Sequence, residues 1–279
     1  MPHSKLSTLS VLTLTLSIFL VSGCASILPK AKADYTVEVA DMDFVFVKGG
    51  SFQMGSDQKP DEQPVHDVKV DDLFVGMYEV TFTQFDQYCK MIPRECEPPD
   101  DQNWGRGSRP VINVSWQDAN AYADWLSKQT GHRFRLPTEA EWEYFARAGT
   151  STPYWSGATL SSGLANCANC GSKWDNKSTA PVGSFRPNPW NIYDTMGNVI
   201  EWVTDSYKTN YTNAPTDGAA VIINTESRKV QRGGAWNYQA NDLRSTARDY
   251  RKANSHTLDA GFRLVLEPSA HLPIIRQGR

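Results

Sequence analysis

Between Gly149 and Val230 the sequence runs for some 80 residues without sustained helical or strand periodicity. Gly, Asn, Ser, Trp and Asp dominate that stretch. So long an irregular region inside a compact domain needs its own source of order, such as metal ions, disulfides or aromatic packing. The material exists: aromatics make up 11% of the 279 residues, with nine Trp, so a large core is expected and intrinsic disorder is not. A charged fraction of 21% argues against a coiled coil. The 28 Lys and Arg stand against 31 Asp and Glu, a net charge of -3. That balance offers no basic excess for phosphate contacts, so nucleic acid is not an expected partner.

Regular patterns frame the irregular region. Phe44–Val47 followed by Gly49-Gly50 reads as a strand ending in a turn, and Val65–Val70 as a half-exposed strand. Thr81 or Thr83 is placed to cap a helix through Phe82, Phe85 and Tyr88. Ser115 caps an amphipathic helix whose apolar face is Ala119, Tyr122, Ala123 and Leu126, and Gly131 stops it. Thr138 precedes a third helix, Glu139 to Ala148, with Glu141 at capping-box spacing. Gly261–Leu266 reads as the last strand. Neither an internal repeat nor a linker interrupts 41–266, so one domain is expected there, followed by a surface tail over 267–279.

The N-terminus reads as a targeting segment. Lys5 precedes a mostly apolar run from Leu9 to Val21. That run falls short of the ~20 residues a membrane-spanning helix needs and fits a secretory core. Val21-Ser22-Gly23-Cys24 resembles the lipobox of bacterial lipoproteins, which implies removal of 1–23 and lipidation of Cys24. Acyl chains then anchor the protein at about 0.8 kcal/mol per buried CH₂. Ala25 and Ser26 follow with no Asp, so the resemblance favours the outer membrane, facing the periplasm. Residues 24–40 read as a tether. Processing removes one Lys and no acid, leaving 27 − 31 = -4. Export also favours disulfides among the remaining Cys89, Cys96, Cys167 and Cys170. Three connectivities are open, the preferred one pairing Cys89 with Cys96 and Cys167 with Cys170. A zinc site is the weaker rival, because the two Cys spacings differ and no His pair lies near them.

Seven phrases then occur in order. They are Val47-Lys48-Gly49-Gly50-Ser51-Phe52-Gln53-Met54-Gly55-Ser56, Tyr78-Glu79-Val80-Thr81, Arg109-Pro110-Val111-Ile112-Asn113-Val114-Ser115-Trp116 and Arg135-Leu136-Pro137-Thr138-Glu139-Ala140-Glu141-Trp142-Glu143. Gly197-Asn198-Val199-Ile200-Glu201-Trp202, Arg232-Gly233-Gly234-Ala235-Trp236 and Gly261-Phe262-Arg263 complete the series. Together they resemble the formylglycine-generating enzyme, or sulfatase-modifying factor, superfamily over about 41–266. The resemblance implies an α+β fold, loop-rich and distantly related to the C-type lectin fold.

It also implies structural calcium, a hard cation that takes six to eight oxygens. One ligand set falls on the side chains of Asp194 and Glu201 and the carbonyls of Gly197 and Val199. A second falls on Asn166 and Asp175, with the carbonyls of Cys167 and Lys177. The competing reading makes these acids caps or salt-bridge partners. Formylglycine-generating enzymes hold copper on two Cys thiolates, soft ligands for a soft ion. The matching positions here carry Tyr238 and Leu243, and no Cys occurs after residue 170. Copper is therefore not expected, and catalytic residues are not assigned.

By family position the ligand face holds Trp236, Asn237, Tyr238, Gln239, Arg244, Arg248, Tyr250 and Arg251. Aromatic rings, amides and guanidinium forks suit recognition. Alternatively Arg244 and Arg248 are internal ion-pair partners and Trp236 is core. The expected function is a membrane-tethered binding, accessory or regulatory module of the cell envelope with a protein or peptide ligand. The alternative is an oxidase of the formylglycine-generating type or one using another metal.

Overall fold

The computed structural model describes residues 35–269 and 275–276, with side chains described over 40–269. The targeting segment and Cys24 lie outside the described residues. In chain order the elements are β1 (Tyr35–Val39), β2 (Met42–Val47), β3 (Gly50–Met54), β4 (His66–Val70) and β5 (Leu73–Gly76). Then come α1 (Phe82–Met91), α2 (Trp116–Thr130), β6 (Phe134–Arg135) and α3 (Glu139–Arg147). The remaining strands are β7 (Ile200–Ser206), β8 (Arg228–Arg232), β9 (Arg248–Lys252), β10 (Ala260–Gly261), β11 (Val265–Leu266) and β12 (Ile275–Arg276).

α2 and α3 start on the residues their sequence singles out, and α1 starts on Thr81, one of its two candidates. The side chains of Thr81, Ser115 and Thr138 accept from the backbone N–H three residues on, and Gln84, Asp118 and Glu141 reach back to complete capping boxes. These contacts satisfy N–H groups that have no partner inside the helix. Gly131 ends α2 in the left-handed conformation at φ 73°.

A six-stranded antiparallel sheet runs β12-β1-β2-β5-β11-β6. One face packs Phe44, Phe46 and Phe74 against α1 and α2 through Phe85, Tyr88, Tyr122 and Leu126. The other face carries Val45, Val47 and Val75 in a second core with Trp142 and Phe145 of α3. The alternation along β2 thus fills two layers, as a sheet covered on both sides must. A second sheet runs β10-β7-β8-β9, parallel at β10-β7 and antiparallel elsewhere, and β3-β4 form a separate hairpin.

Three expectations need correction. The tether over 24–40 is too long, because Tyr35–Val39 already pairs with β2 in the sheet. The tail over 267–279 returns to the fold, with Ile275 and Arg276 opposite Thr36 and Tyr35. The irregular region contains β7, which alternation could not show because six of its seven residues are buried on one face or the other. Of what remains irregular, residues 148–199 are rich in left-handed turns. Asn169, Asn176, Asn191, Asp194 and Asn198 all have φ between 54° and 65°, a conformation Asn and Asp tolerate better than other side chains. The preferred disulfides are both present, with Cα separations of 4.8 Å for Cys89–Cys96 and 5.2 Å for Cys167–Cys170.

Candidate functional site

The turn after β8 builds the site. Gly233 and Gly234 adopt φ of 97° and 67°. A Cβ on Gly233 would sit 3.0 Å from the Trp142 ring, and one on Gly234 would sit 2.6 Å from Leu243 Cδ1. The pair lets the chain turn while two apolar side chains close beneath it. Gly197 N–H donates to Gly233 O, and Trp236 N–H donates to Asn198 O. Asn198 N–H donates to Asn166 O, while its side-chain amide donates to Glu79 Oε2 at 2.7 Å and accepts from Ala180 N at 2.8 Å. Four stretches far apart in sequence therefore meet at one amide.

Above this floor lies a polar chain. The Tyr238 hydroxyl donates to Asp249 Oδ2 at 2.8 Å and accepts from Arg251 Nη2 at 2.9 Å. Arg251 also donates to Asp259 Oδ2 at 2.9 Å. The second oxygen of Asp259 is buried without a hydrogen-bond partner, an arrangement that leaves acceptor capacity unused. Burial, reinforced by the Asp249 charge, pushes the Tyr238 hydroxyl well above the ordinary tyrosine range, so it acts as a protonated donor at neutral pH. Trp236 borders the array, its indole N–H donating to Leu258 O at 3.3 Å and its ring meeting Trp104 edge-on at 5.1 Å between centroids. Asn237, Gln239 and Tyr250 are exposed.

Two of the expected ligand contacts belong elsewhere. Arg244 is buried and forms a two-pronged pair with Glu62 at 2.9 and 2.7 Å. Arg248 is likewise buried, donates to both oxygens of Glu139 at 2.6 and 2.9 Å and lies 4.3 Å over the Tyr211 ring. Neither guanidinium has a free edge for a ligand, which corrects their assignment to the cleft. Asp249, Asp259 and Trp104 take part instead. Asp249 and Arg251 stand two apart on β9, so period-two reading from Tyr250 would have put them on one face.

Leu243 is fully buried, in a small apolar cluster with Tyr154, Met196, Cys167 and Cys170, and Tyr238 packs against it. Ala168 N–H donates to Tyr238 O at 2.7 Å. The Cys167–Cys170 disulfide thus lies beside the two positions that carry no sulfur of their own.

The proposed calcium ligands divide into two cases. Both oxygens of Glu201 are occupied, by Arg263 at 2.7 and 2.6 Å and by the Trp142 indole N–H at 2.8 Å. Asp194 Oδ2 accepts from Gly183 N at 2.7 Å. Burial pushes its carboxyl up to about 6, with the Glu201 charge adding to the rise. Burial also raises Glu79, with Asp194 and Glu201 contributing. Three carboxylates therefore share one buried guanidinium, an imbalance that either protons or a cation would relieve. In the second set, Asn166 Oδ1 accepts from Ser172 Oγ at 3.0 Å and Asp175 Oδ2 accepts from Gly171 N. Asp175 Oδ1 is buried with no hydrogen-bond partner, so this oxygen-only set fits a hard cation. Among the described residues no three His, Cys, Asp or Glu side chains are grouped to hold a metal. A cation here would rely on amide and carbonyl oxygens as well.

The sulfatase-modifying factor enzyme 1-like domain matches residues 31–268. The chain is 30% identical to serine/threonine-protein kinase pkn1 of Chlamydia caviae over 253 residues, 79% of this chain and 37% of the kinase. It is 36% identical to formylglycine-generating enzyme of Streptomyces coelicolor over 180 residues, 57% of this chain and 53% of the enzyme. The structure of PvdO from Pseudomonas aeruginosa superposes with a TM-score of 0.77 at 32% identity, covering 86% of this chain and all of PvdO. The chain spans less than two fifths of the kinase and about half of the bacterial formylglycine-generating enzyme.

Proposed function

The chain belongs to the sulfatase-modifying factor enzyme 1-like family, and from that premise we propose that it is a membrane-tethered binding, accessory or regulatory module of the cell envelope. Its ligand is a peptide or protein held at the Tyr238 cleft. The observation that carries this reading is the Asp249–Tyr238–Arg251–Asp259 array, a partly buried row of polar side chains hydrogen-bonded end to end beside Trp236 and the exposed Asn237. With this row behind them, the exposed amides of Asn237 and Gln239 offer both donors and acceptors to a peptide backbone or polar side chain. The part shared with pkn1 is a minor fraction of a protein named a kinase, which suits a domain that serves another activity. Lipidation at Cys24 would hold the module at the outer membrane, facing the periplasm. Calcium at Asn166 and Asp175 would fix the loop beneath the cleft.

A photo-crosslinking residue at exposed position 237 tests this. Capture of a defined peptide or protein, lost in Tyr238→Phe and Asp249→Asn, is expected. Equal capture by all three chains removes the reading.

The second reading is an oxidase, and one observation favours it. The Cys167–Cys170 sulfurs join the cluster of Leu243 and Tyr238. Copper and iron content of the purified chain, followed by oxygen uptake with a Cys-bearing sulfatase peptide, separates the two. Stoichiometric copper with peptide-dependent oxygen consumption would establish the oxidase and displace the binding module.

A further inference from the structure

A different cavity, of about 610 Å³, opens between the β3–β4 hairpin, the outer face of α3 and the loop that follows that helix. Its volume lies within the ~300–1,000 Å³ usual for small-molecule sites. One wall is aromatic. Phe52 and Tyr144 have ring centroids 5.3 Å apart at 52°, and Tyr144 and Trp190 are 5.0 Å apart at 61°. All three rings are only partly buried. The wall is held in place from behind. Tyr144 donates its hydroxyl to Lys48 O at 3.0 Å, and Gly50 makes room for that hydroxyl, since a Cβ there would approach it to 2.8 Å.

The rest of the lining is mostly neutral and polar. Gln58, Ser51 and Ser151 present exposed side chains, and Thr150 and Thr152 complete the far side. The lining cation is committed: Arg147 pairs with Glu143 at 2.8 Å and donates to Gly55 O at 3.0 Å. Asp57 is the lining carboxylate, at the exposed rim. A phosphate or carboxylate ligand would meet no free positive charge. A purely apolar ligand would leave the hydroxyls and amides facing it without partners, which is costly.

One ligand chemistry matches both walls. A pyranose presents a C–H face that stacks on electron-rich rings and a rim of hydroxyls that exchange hydrogen bonds with Ser, Thr and Gln. We propose that the Phe52–Tyr144–Trp190 cavity is a binding site for a neutral oligosaccharide, separate from the Tyr238 cleft and independent of its ligand.

The test titrates the full chain with the tetrasaccharides of N-acetylglucosamine, glucose in α-1,4 linkage and glucose in β-1,4 linkage, followed by calorimetry and tryptophan fluorescence. Saturable binding of at least one is expected. Trp190→Ala should weaken it about tenfold or more, while Trp190→Phe, which keeps a ring face, should recover part of the loss. Tyr238→Phe should leave it unchanged. Matched thermal unfolding of each variant shows that the change is local. No saturable binding by any of the three sugars would overturn the proposal, as would equal binding by folded Trp190→Ala. So would a loss in Tyr238→Phe as large as that in Trp190→Ala.

Discussion

Residues 35–147 and residues 148–269 differ in how much directional contact is added to apolar packing. The first region buries side chains of one kind against another: Phe44, Phe46 and Phe74 on Phe85, Tyr122 and Leu126. The second adds directional contacts to its share of the apolar core. Arg263, fully buried, spans Glu201 and the carbonyls of Gly76 and Tyr193, while Arg232 contacts Glu143 and the carbonyls of Ser245, Thr246 and Ala247. Asn198 and the Cys167–Cys170 disulfide add to these contacts. Apolar burial is non-directional and accepts substitutions of similar volume. A buried charge is intolerant of losing its partner. The lesson is that the region carrying the cleft holds its shape through contacts that fail one at a time.

The sharpest way to break the contrast is Glu201→Ala. It strands Arg263 and removes the acceptor of the Trp142 indole. A loss of about 3–5 kcal/mol in urea unfolding is expected; a loss near that of an exposed substitution would show that the second region does not depend on its ion pairs. Next comes the cation. If calcium occupies the Asn166–Asp175 loop at a hundred times its dissociation constant, chelation removes about 2.7 kcal/mol. The thermal transition should then fall in EDTA, and Asp175→Asn should abolish the difference; an identical transition with and without chelator withdraws the metal. The mildest test lies in the first region, where Ser115→Ala removes one cap from α2. It should cost about 1 kcal/mol with the cleft untouched, so unchanged capture at position 237 alongside that loss keeps the two regions separable.

Legibility in the sequence follows the same divide. Caps act over three residues, so Ser115 and Thr138 could be read directly and Thr81 as one of two candidates. Helical spacing likewise exposed Tyr122 and Leu126 as core. The partners of Arg244 and Arg248 could not be read, because Glu62 and Glu139 lie 182 and 109 residues away. An arginine in a strand or turn looks the same whether it meets a ligand or a distant carboxylate. β7 was hidden because burial on both faces erases alternation. β1 and β12 were assigned to the tether and tail, since β12 is a two-residue edge strand with little pattern of its own and the five residues of β1 make too short a run to stand out. Tyr238 was found through the phrase preceding it, whereas Asp259 became visible only through its contact with Arg251.

Asn198 bears on engineering. Its main chain and side chain splice together Glu79, Asn166, Ala180 and Trp236, so transplanting the Tyr238 loop alone into another scaffold would carry half of a knot. A graft must move those segments together. Diversity is better introduced at 208–226, whose exposed residues such as Asn213, Asp217 and Ile222 lie clear of that junction.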